Sequence, residues 1–486
     1  MVKKLNNNSL DLNDGCILSE VLHKAIDDSL SYLNDIDNKN VFHPLRSKDY
    51  TRFEEDLPWD SLPLQDSYEF FNRFILERHS PMNLHPGFYG WAMGGGNPVG
   101  ILGGMLENML NANVIGGMQI SCLVEEQVLR WAKQLFCLPE IYTGLITGGC
   151  SEANLIALTV ARNSKMPGDI PRKGLYDQPR SIFYASEQTH VSIHKALNIL
   201  GVGDDNIRSI PVNEKYEIIP YELEKAIIED LKLNYCPTGI IANCGSINTG
   251  AIDDISALSQ IAKEYNIWLH VDGAFGVFAM LTDSYHYCLE SLSLADSISF
   301  DFHKWMNMPY SSGCVLIKDR KTHYEAFQAN GGYIEHSEPW FSDYGIALSR
   351  RFSALSIWLC LKTYGVRQII DCVNKNIEQA KYLYQKMKNQ TDWEMIMEPT
   401  LNVVCMRYVY GSDQTIMNEI NKSIVSEINM KGRSFVTTTN INDCIYIRVC
   451  IINHRTTEQH INLLIQDLIE VGVKKRQHTI NNNIIK

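Results

Sequence analysis

Four groups of residues, met in chain order, have types and spacing that suit coordinated chemistry. Thr147 to Asn154 (Thr-Gly-Gly-Cys-Ser-Glu-Ala-Asn) puts small residues ahead of a predicted helix, Ala153 to Arg162. The leading N–H groups of a helix lack intrahelical partners and the helix dipole adds positive potential. Gly149, Cys150 and Ser151 therefore outline an anion cup, with the Ser151 hydroxyl as a further donor. His190 follows a predicted strand by a few residues, where an imidazole can stack on a planar ring. Asp272 ends the strand that starts at Ile267. A carboxylate there can pair with a protonated pyridine nitrogen and keep the ring an electron sink. Lys304 follows the strand-like run Ser297 to Asp301, between Phe302 and Trp305. Desolvation by those neighbours would lower the amine's pKa and make it a better carbonyl nucleophile. Taken singly, each has a plainer reading: a Ser N-cap, a structural His, an Asp capping a turn, a solvated Lys. Together, the order of phosphate cup, His, Asp and Lys, with Lys304 lying 32 residues past Asp272, suits a lysine that holds pyridoxal phosphate as a Schiff base.

The elements that must position these groups alternate strand and helix. Strands are predicted at 181–185, 239–244, 267–272, 297–301 and 313–318, and helices at 190–200 and 255–265. Short apolar strands separated by helices imply an α/β fold with a mostly parallel, doubly covered sheet. Upstream, apolar residues from Ile17 to Leu30 recur at helical spacing, followed by a Pro-punctuated stretch and a helix near 68–77. This opening section can wrap a second subunit or pack on its own chain. A further helix is predicted at 124–136. Gly94, Gly95 and Gly96 suit either a phosphate cradle or a tight turn. Residues 346–389 read as continuously helical, 392–472 as a smaller α/β unit, and the tail from Lys474 to Lys486 as frayed. The resulting division is a helical segment at 1–84, a large cofactor-binding domain at 85–370 and a small C-terminal α/β domain at 371–486.

The 486 residues carry a net charge of −12, which speaks against nucleic acid or an anionic membrane as the main partner. No apolar run is long enough to span a bilayer. Asn6 to Asn8 follow the first residues where a secretory leader would be apolar, so none is expected. Thirteen scattered cysteines without a Cys-x-x-Cys or zinc-type set suit reduced thiols in a cytoplasmic protein, and no metal site is expected.

The motifs resemble those of the group II pyridoxal-phosphate-dependent amino-acid decarboxylases of the aromatic, glutamate and diaminobutyrate types. The likeness runs from His85-Pro86 through 148–153, Gln188-Thr189-His190, 270–274 and His303-Lys304-Trp305 to Arg350. It implies a fold type I, aspartate-aminotransferase-like chain with a seven-stranded-type sheet, acting as a homodimer with the active site at the subunit interface. By that resemblance Lys304 is the Schiff-base lysine, His190 the stacking base and Asp272 the pyridine partner, with Ala274 beside the ring. Cys150, Ser151 and His303 lie at the phosphate, and Thr249 belongs to a turn that reaches the cofactor. Three positions depart from the pattern. Asp301 stands where Asn is usual, Cys150 replaces Ala or Ser and leaves its N–H as donor, and Ile247 replaces a Thr, leaving Ser246, Asn248 and Thr249 as alternatives for the turn's contact.

Asn330 to His336 carries two glycines and suits a lid, and Tyr333 resembles the family's loop tyrosine that protonates the substrate Cα. A Tyr there favours simple decarboxylation of an L-amino acid to its amine. Phe88, Tyr89, Trp91 and Trp340 suggest an aromatic pocket and an aromatic substrate. The alternatives are a glutamate or diaminobutyrate substrate bound by Arg350, Arg351 or Arg448, an aldehyde synthase, a carbon–carbon lyase resembling the sphingosine-phosphate group, or a non-catalytic homologue.

Overall fold

A computed structural model describes residue 10, residues 15–328 and residues 338–484, with side chains as far as residue 477. Seven strands form one sheet: β1 (Thr143–Thr147), β2 (Ser181–Ser186), β3 (Ile207–Ile210), β4 (Cys236–Asn243), β5 (Trp268–Asp272), β6 (Ser297–Asp301) and β7 (Gly313–Ile317). Their order is β1-β7-β6-β5-β4-β2-β3. The neighbours from β3 to β6 pair in parallel, and only β7 runs against its neighbours. Both faces are covered, which is why the strands read as unbroken apolar runs. Along β2 the pleat sends Ile182 and Tyr184 into one core and Phe183 and Ala185 into the other.

A second sheet holds β8 (Trp393–Met395), β9 (Val403–Tyr408), β10 (Thr437–Ile441) and β11 (Cys444–Cys450), all antiparallel, in the order β10-β11-β9-β8. It has its own core of residues such as Val404, Met406, Ile424, Ile447 and Leu468. The short strands β1, β3, β8 and β10 and the helices 98–110, 220–232 and 414–431 were not expected from periodicity.

Two expectations need correction. Residues 346–353 are not helical: the Arg350 carbonyl accepts the Val114 N–H and the Arg350 N–H donates to Asn113, which ties that stretch to a distant loop. The helix runs from Ala354 to Lys388 and is interrupted at Gly365, whose φ of 70° lies in the left-handed region glycine tolerates. The tail is not frayed where described, because the helix from Glu458 continues to Ile484. Ion pairs of Lys474 and Lys475 with Glu427, and of Arg476 with Asp392, fasten that extension. At the other end, the helix Gly15–Asn34 rests on the segment 64–76 through Asp28, which accepts from Tyr68 and Asn72.

Candidate active site

The parallel strands deliver their C-terminal ends to one edge, the position where open α/β sheets bind ligands. Asp272 ends β5 and Asp301 ends β6. The helix Cys150–Lys165 starts behind them, and Gly149 is the residue before it, with extended backbone (φ 162°) and no side-chain cap. The Ser N-cap reading therefore fails. Ser151 is exposed in the first turn, and the backbone relies on Glu152, which accepts the Gly148 N–H at 2.7 Å.

A side chain placed on Gly149 would point at His303 Cε1 (3.5 Å) and Asp301 Oδ1 (3.8 Å), so a small open cradle lies between the helix start and these two residues. His303 Nδ1 accepts the Ser312 N–H at 3.2 Å, and its Nε2 faces Asp301 at 3.7 Å. Tyr310 lies on the His303 ring, centroids 4.2 Å apart. Burial pushes His303 below the usual imidazole range, opposed by Asp301.

Lys304 Nζ pairs with Asp301 Oδ2 at 3.0 Å. Burial is the largest single influence on this amine and by itself would lower its pKa, but the acidic groups around it, Asp301 foremost and Asp272 beyond, together raise the value above the usual lysine range. The expected depression of the Lys304 pKa is thus reversed, since the nearby acidic groups together exceed the desolvation cost here. Phe302 and Trp305 act as anchors: both are fully buried, Phe302 against Phe300 and Trp305 donating to Asn376 Oδ1. Asp301 Oδ1 has no hydrogen-bond partner. An acceptor-only oxygen offers a phosphate nothing, so the anion contacts available are the leading helix amides and His303.

Gly94 explains itself at this point. A Cβ on it would run into the carbonyl oxygens of His303 and Lys304. Gly94 is therefore a close approach to the lysine turn, while Gly95 abuts the Asn453 side chain and Gly96 turns the chain with a φ of 58°.

Asp272 is buried and surrounded by donors: Asn154 Nδ2 at 3.1 Å, the Ala274 N–H at 3.1 Å and Cys150 Sγ at 3.6 Å. The Cys150 side chain thus turns inward, and burial first, then the carboxylates, pushes its thiol well above the usual range. His190 precedes the helix Val191–Ile199, and its Nδ1 accepts the Ser192 N–H at 3.2 Å. Burial lowers its pKa, and it feels Asp272, Lys304 and Asp301 together, which places all four in one electrostatic neighbourhood.

In the turn 245–250, Ser246 and Thr249 bond to each other at 2.9 Å and are buried. Asn248 is held by Gln188 and Thr439, and Ile247 by its carbonyl to Arg448 Nε. Tyr333 and its loop lie outside the described residues.

Of the four aromatics expected in a pocket, Phe88 and Tyr89 are fully buried, so neither lines open space. Trp340 packs over Gly116 and Gly117. Trp91 remains, 46% exposed and packed against Phe88 and Phe435. Arg350 is tied to Glu125 and Arg351 to Glu107. Arg448 is 3% exposed, donates to the carbonyls of Ile247 and Gly90, and keeps Nη2 without a hydrogen-bond partner.

Asn154, Ser192, His270 and Ser299 were not singled out from sequence, although Cys150 and Asn154 share a helical face (i, i+4) and His270 and Asp272 one strand face (i, i+2).

The family model described as "Pyridoxal-dependent decarboxylase conserved domain" matches residues 53–409. The chain is 32% identical to an aromatic-L-amino-acid decarboxylase of Bacillus atrophaeus, covering 90% of this chain and 92% of that protein. It is 29% identical to a phenylacetaldehyde synthase of Petunia hybrida, over 91% of each chain. Among solved structures, Oryza sativa TDC with PLP and tryptamine superposes with a TM-score of 0.89 at 21% identity, over 96% of this chain and 99% of the other. That likeness establishes the fold type I architecture.

Proposed function

The chain belongs to the pyridoxal-dependent decarboxylase family, and from that premise we propose that it converts an aromatic L-amino acid to its amine and carbon dioxide. The observation that carries the reading is the grouping of Lys304, His303, Asp272, His190 and the start of the helix Cys150–Lys165 at one sheet edge. Bound pyridoxal phosphate supplies an electron sink for the bond between Cα and the carboxylate.

The residues divide the work. Lys304 is the residue that would hold the cofactor covalently, through its side-chain amine. Asp272, supplied only with donors, is oriented to accept from the pyridine nitrogen. His190 stacks on the ring, its Nδ1 occupied by Ser192 and its Nε2 free to donate. The amides of Gly149, Cys150 and Ser151 and the His303 ring would hold the phosphate, and Thr249 and Ala274 would border the ring. Tyr333 gives the proton to Cα, and a tyrosine rather than phenylalanine there supports the amine as product.

Trp91 supports an aromatic substrate, because it presents ring surface beside Gly90, where Arg448 is docked. Arg448 is buried on the carbonyls of Ile247 and Gly90, so it braces the backbone beside Trp91. We read the chain as a homodimer with sites at the interface. The helix Gly15–Asn34 buries none of its residues and exposes Leu18, Leu22, Ile26 and Leu30 along one stripe, which a second copy would cover. Thirteen free cysteines support a reducing, cytoplasmic setting.

The test offers the protein, with pyridoxal phosphate, each common L-amino acid plus diaminobutyrate and cysteine sulfinate, and scans products by mass spectrometry. Lys304→Ala serves as control. An aromatic amine is expected; an aldehyde would move the chain to the synthase branch, and an amine from an acidic amino acid would overturn the aromatic assignment.

A further inference from the structure

Behind the proposed ring-binding residues runs a chain of hydrogen bonds whose direction is set by the Asp272 carboxylate, which can only accept. Trp268 Nε1–H can only donate, and it donates to Ser297 Oγ at 2.7 Å. The same Ser297 Oγ lies 2.9 Å from His270 Nδ1. His270 is fully buried, and burial pushes its pKa down to about 4, so the ring is neutral and carries one proton. Because Asp272 only accepts, the Nδ2 side of Asn154 faces it, and Asn154 Oδ1 is left to accept from His270 Nε2–H at 2.9 Å and from the Ser299 hydroxyl. The amide of Asn154 therefore has one orientation, and His270 Nδ1 is left to accept from Ser297. Its Nδ2 donates to Asp272 Oδ2 and to Ser192 Oγ, each at 3.1 Å. Ser192, accepting from Asn154, turns its own proton to His190 Nδ1 at 2.8 Å.

We propose that Asn154 is a positioning residue for the reaction: one fully buried amide sets the rotamer of Asp272 and the hydrogen-bond polarity of His190 together. The proposal rests on the assignment of Asp272 and His190 to the cofactor ring made above. An aspartate in its place would be the same size but would present an acceptor to Asp272, which needs a donor, and would draw the Ser192 proton away from His190. Serine, alanine or leucine would leave Asp272 with fewer donors and free to rotate. Nothing else on the helix substitutes for Asn154: Cys150 reaches Asp272 with a weak S–H donor at 3.6 Å, and Ser151 faces out.

The experiment measures pyridoxal phosphate affinity of the apoprotein by fluorescence titration between about pH 6 and pH 8, the pH range in which His-type and carboxyl-type protonation separate. It also records the visible spectrum of the loaded protein and the melting temperature of the apoprotein. Asn154→Asp is expected to weaken binding about 10- to 100-fold at the alkaline end, the worth of a hydrogen bond to a charged group. The loss should shrink toward acid pH, because the introduced carboxyl group, once protonated, regains one donor for Asp272. The groups facing it are Asp272, His270, Cys150 and, through Ser192, His190. A purely structural Asn154 would not produce that recovery. A loss that is flat with pH and follows the melting temperature overturns the proposal, as does affinity within about twofold of wild type, a difference below the smallest hydrogen-bond contribution. Asp272→Asn runs alongside. If it too leaves affinity and spectrum unchanged, the assignment of Asp272 to the ring is what fails. If Asn154→Asp does not fold, Ser192→Ala, which cuts only the His190 branch, should weaken binding about 2- to 10-fold. Unchanged affinity in that variant overturns the proposal.

Discussion

Replacing Asp301 by Asn isolates the force that keeps Lys304 charged. The two side chains meet at 3.0 Å, and the carboxylate is nearly fully buried. With an effective dielectric of about 20, a pair at that distance interacts by about 5 kcal/mol, equivalent to about four pKa units. His303 competes for the same carboxylate at 3.7 Å and water reaches the partly open lysine, so a drop of at least about two units is expected. Once Asp301 is neutral, burial is the leading influence left on Lys304, and burial lowers an amine's pKa. The assay is capture of pyridoxal phosphate by apoprotein, followed by growth of the cofactor's visible band in stopped flow across pH. Capture needs the neutral amine, so the wild-type rate should climb about tenfold per pH unit through the neutral range. Asp301→Asn should capture about 100-fold faster near neutrality and reach its plateau at lower pH. A profile that superimposes on wild type, or moves to higher pH, would refute the assignment of Asp301 as the group that raises Lys304.

Three further outcomes follow from the same structure. Burial holds His85 and His270 near pKa 4 and His323 near 3, all below the unfolded value, so the unfolded chain takes up more protons on acidification. Their contribution, about 3–5 kcal/mol each at most, is complete above about pH 6.5 and is lost as pH falls toward 4; urea midpoints that stay level over that window would contradict it. Glu125→Gln should cost about 3–5 kcal/mol in chemical denaturation, because the buried Arg350 side chain loses the carboxylate it is paired with. Gly94→Ala should abolish or sharply weaken cofactor capture and lower the melting temperature, since the new methyl group meets the backbone of His303 and Lys304, which cannot turn away as a side chain would.

The sequence by itself determined what depends on local order along the chain. The succession of cup, His190, Asp272 and Lys304 was legible because each sits at the end of a short apolar strand or the start of a helix, and those ends share one edge of a parallel sheet. The helical segments near 16–34, 190–200 and 255–265 were legible for the same reason: their periodicity is local. Only the tertiary structure decided what depends on contacts between distant segments. The charge state of Lys304 hinges on a carboxylate three residues away whose reach no spacing rule predicts, and here it reverses the effect of burial. Gly94 needed the backbone of 303–304 beside it before its role could be told from a turn. Phe88 and Tyr89 looked like pocket residues until Phe435 and Trp91 packed on the first and the core of the second sheet enclosed the other. Asn154 is the strongest case, because an asparagine inside a helix carries no signal until β5, β6 and Ser192 converge on its amide. Hydrogen-bond direction is a property of the assembled network, fixed here by the acceptor-only carboxylate of Asp272, and no single stretch of chain contains it.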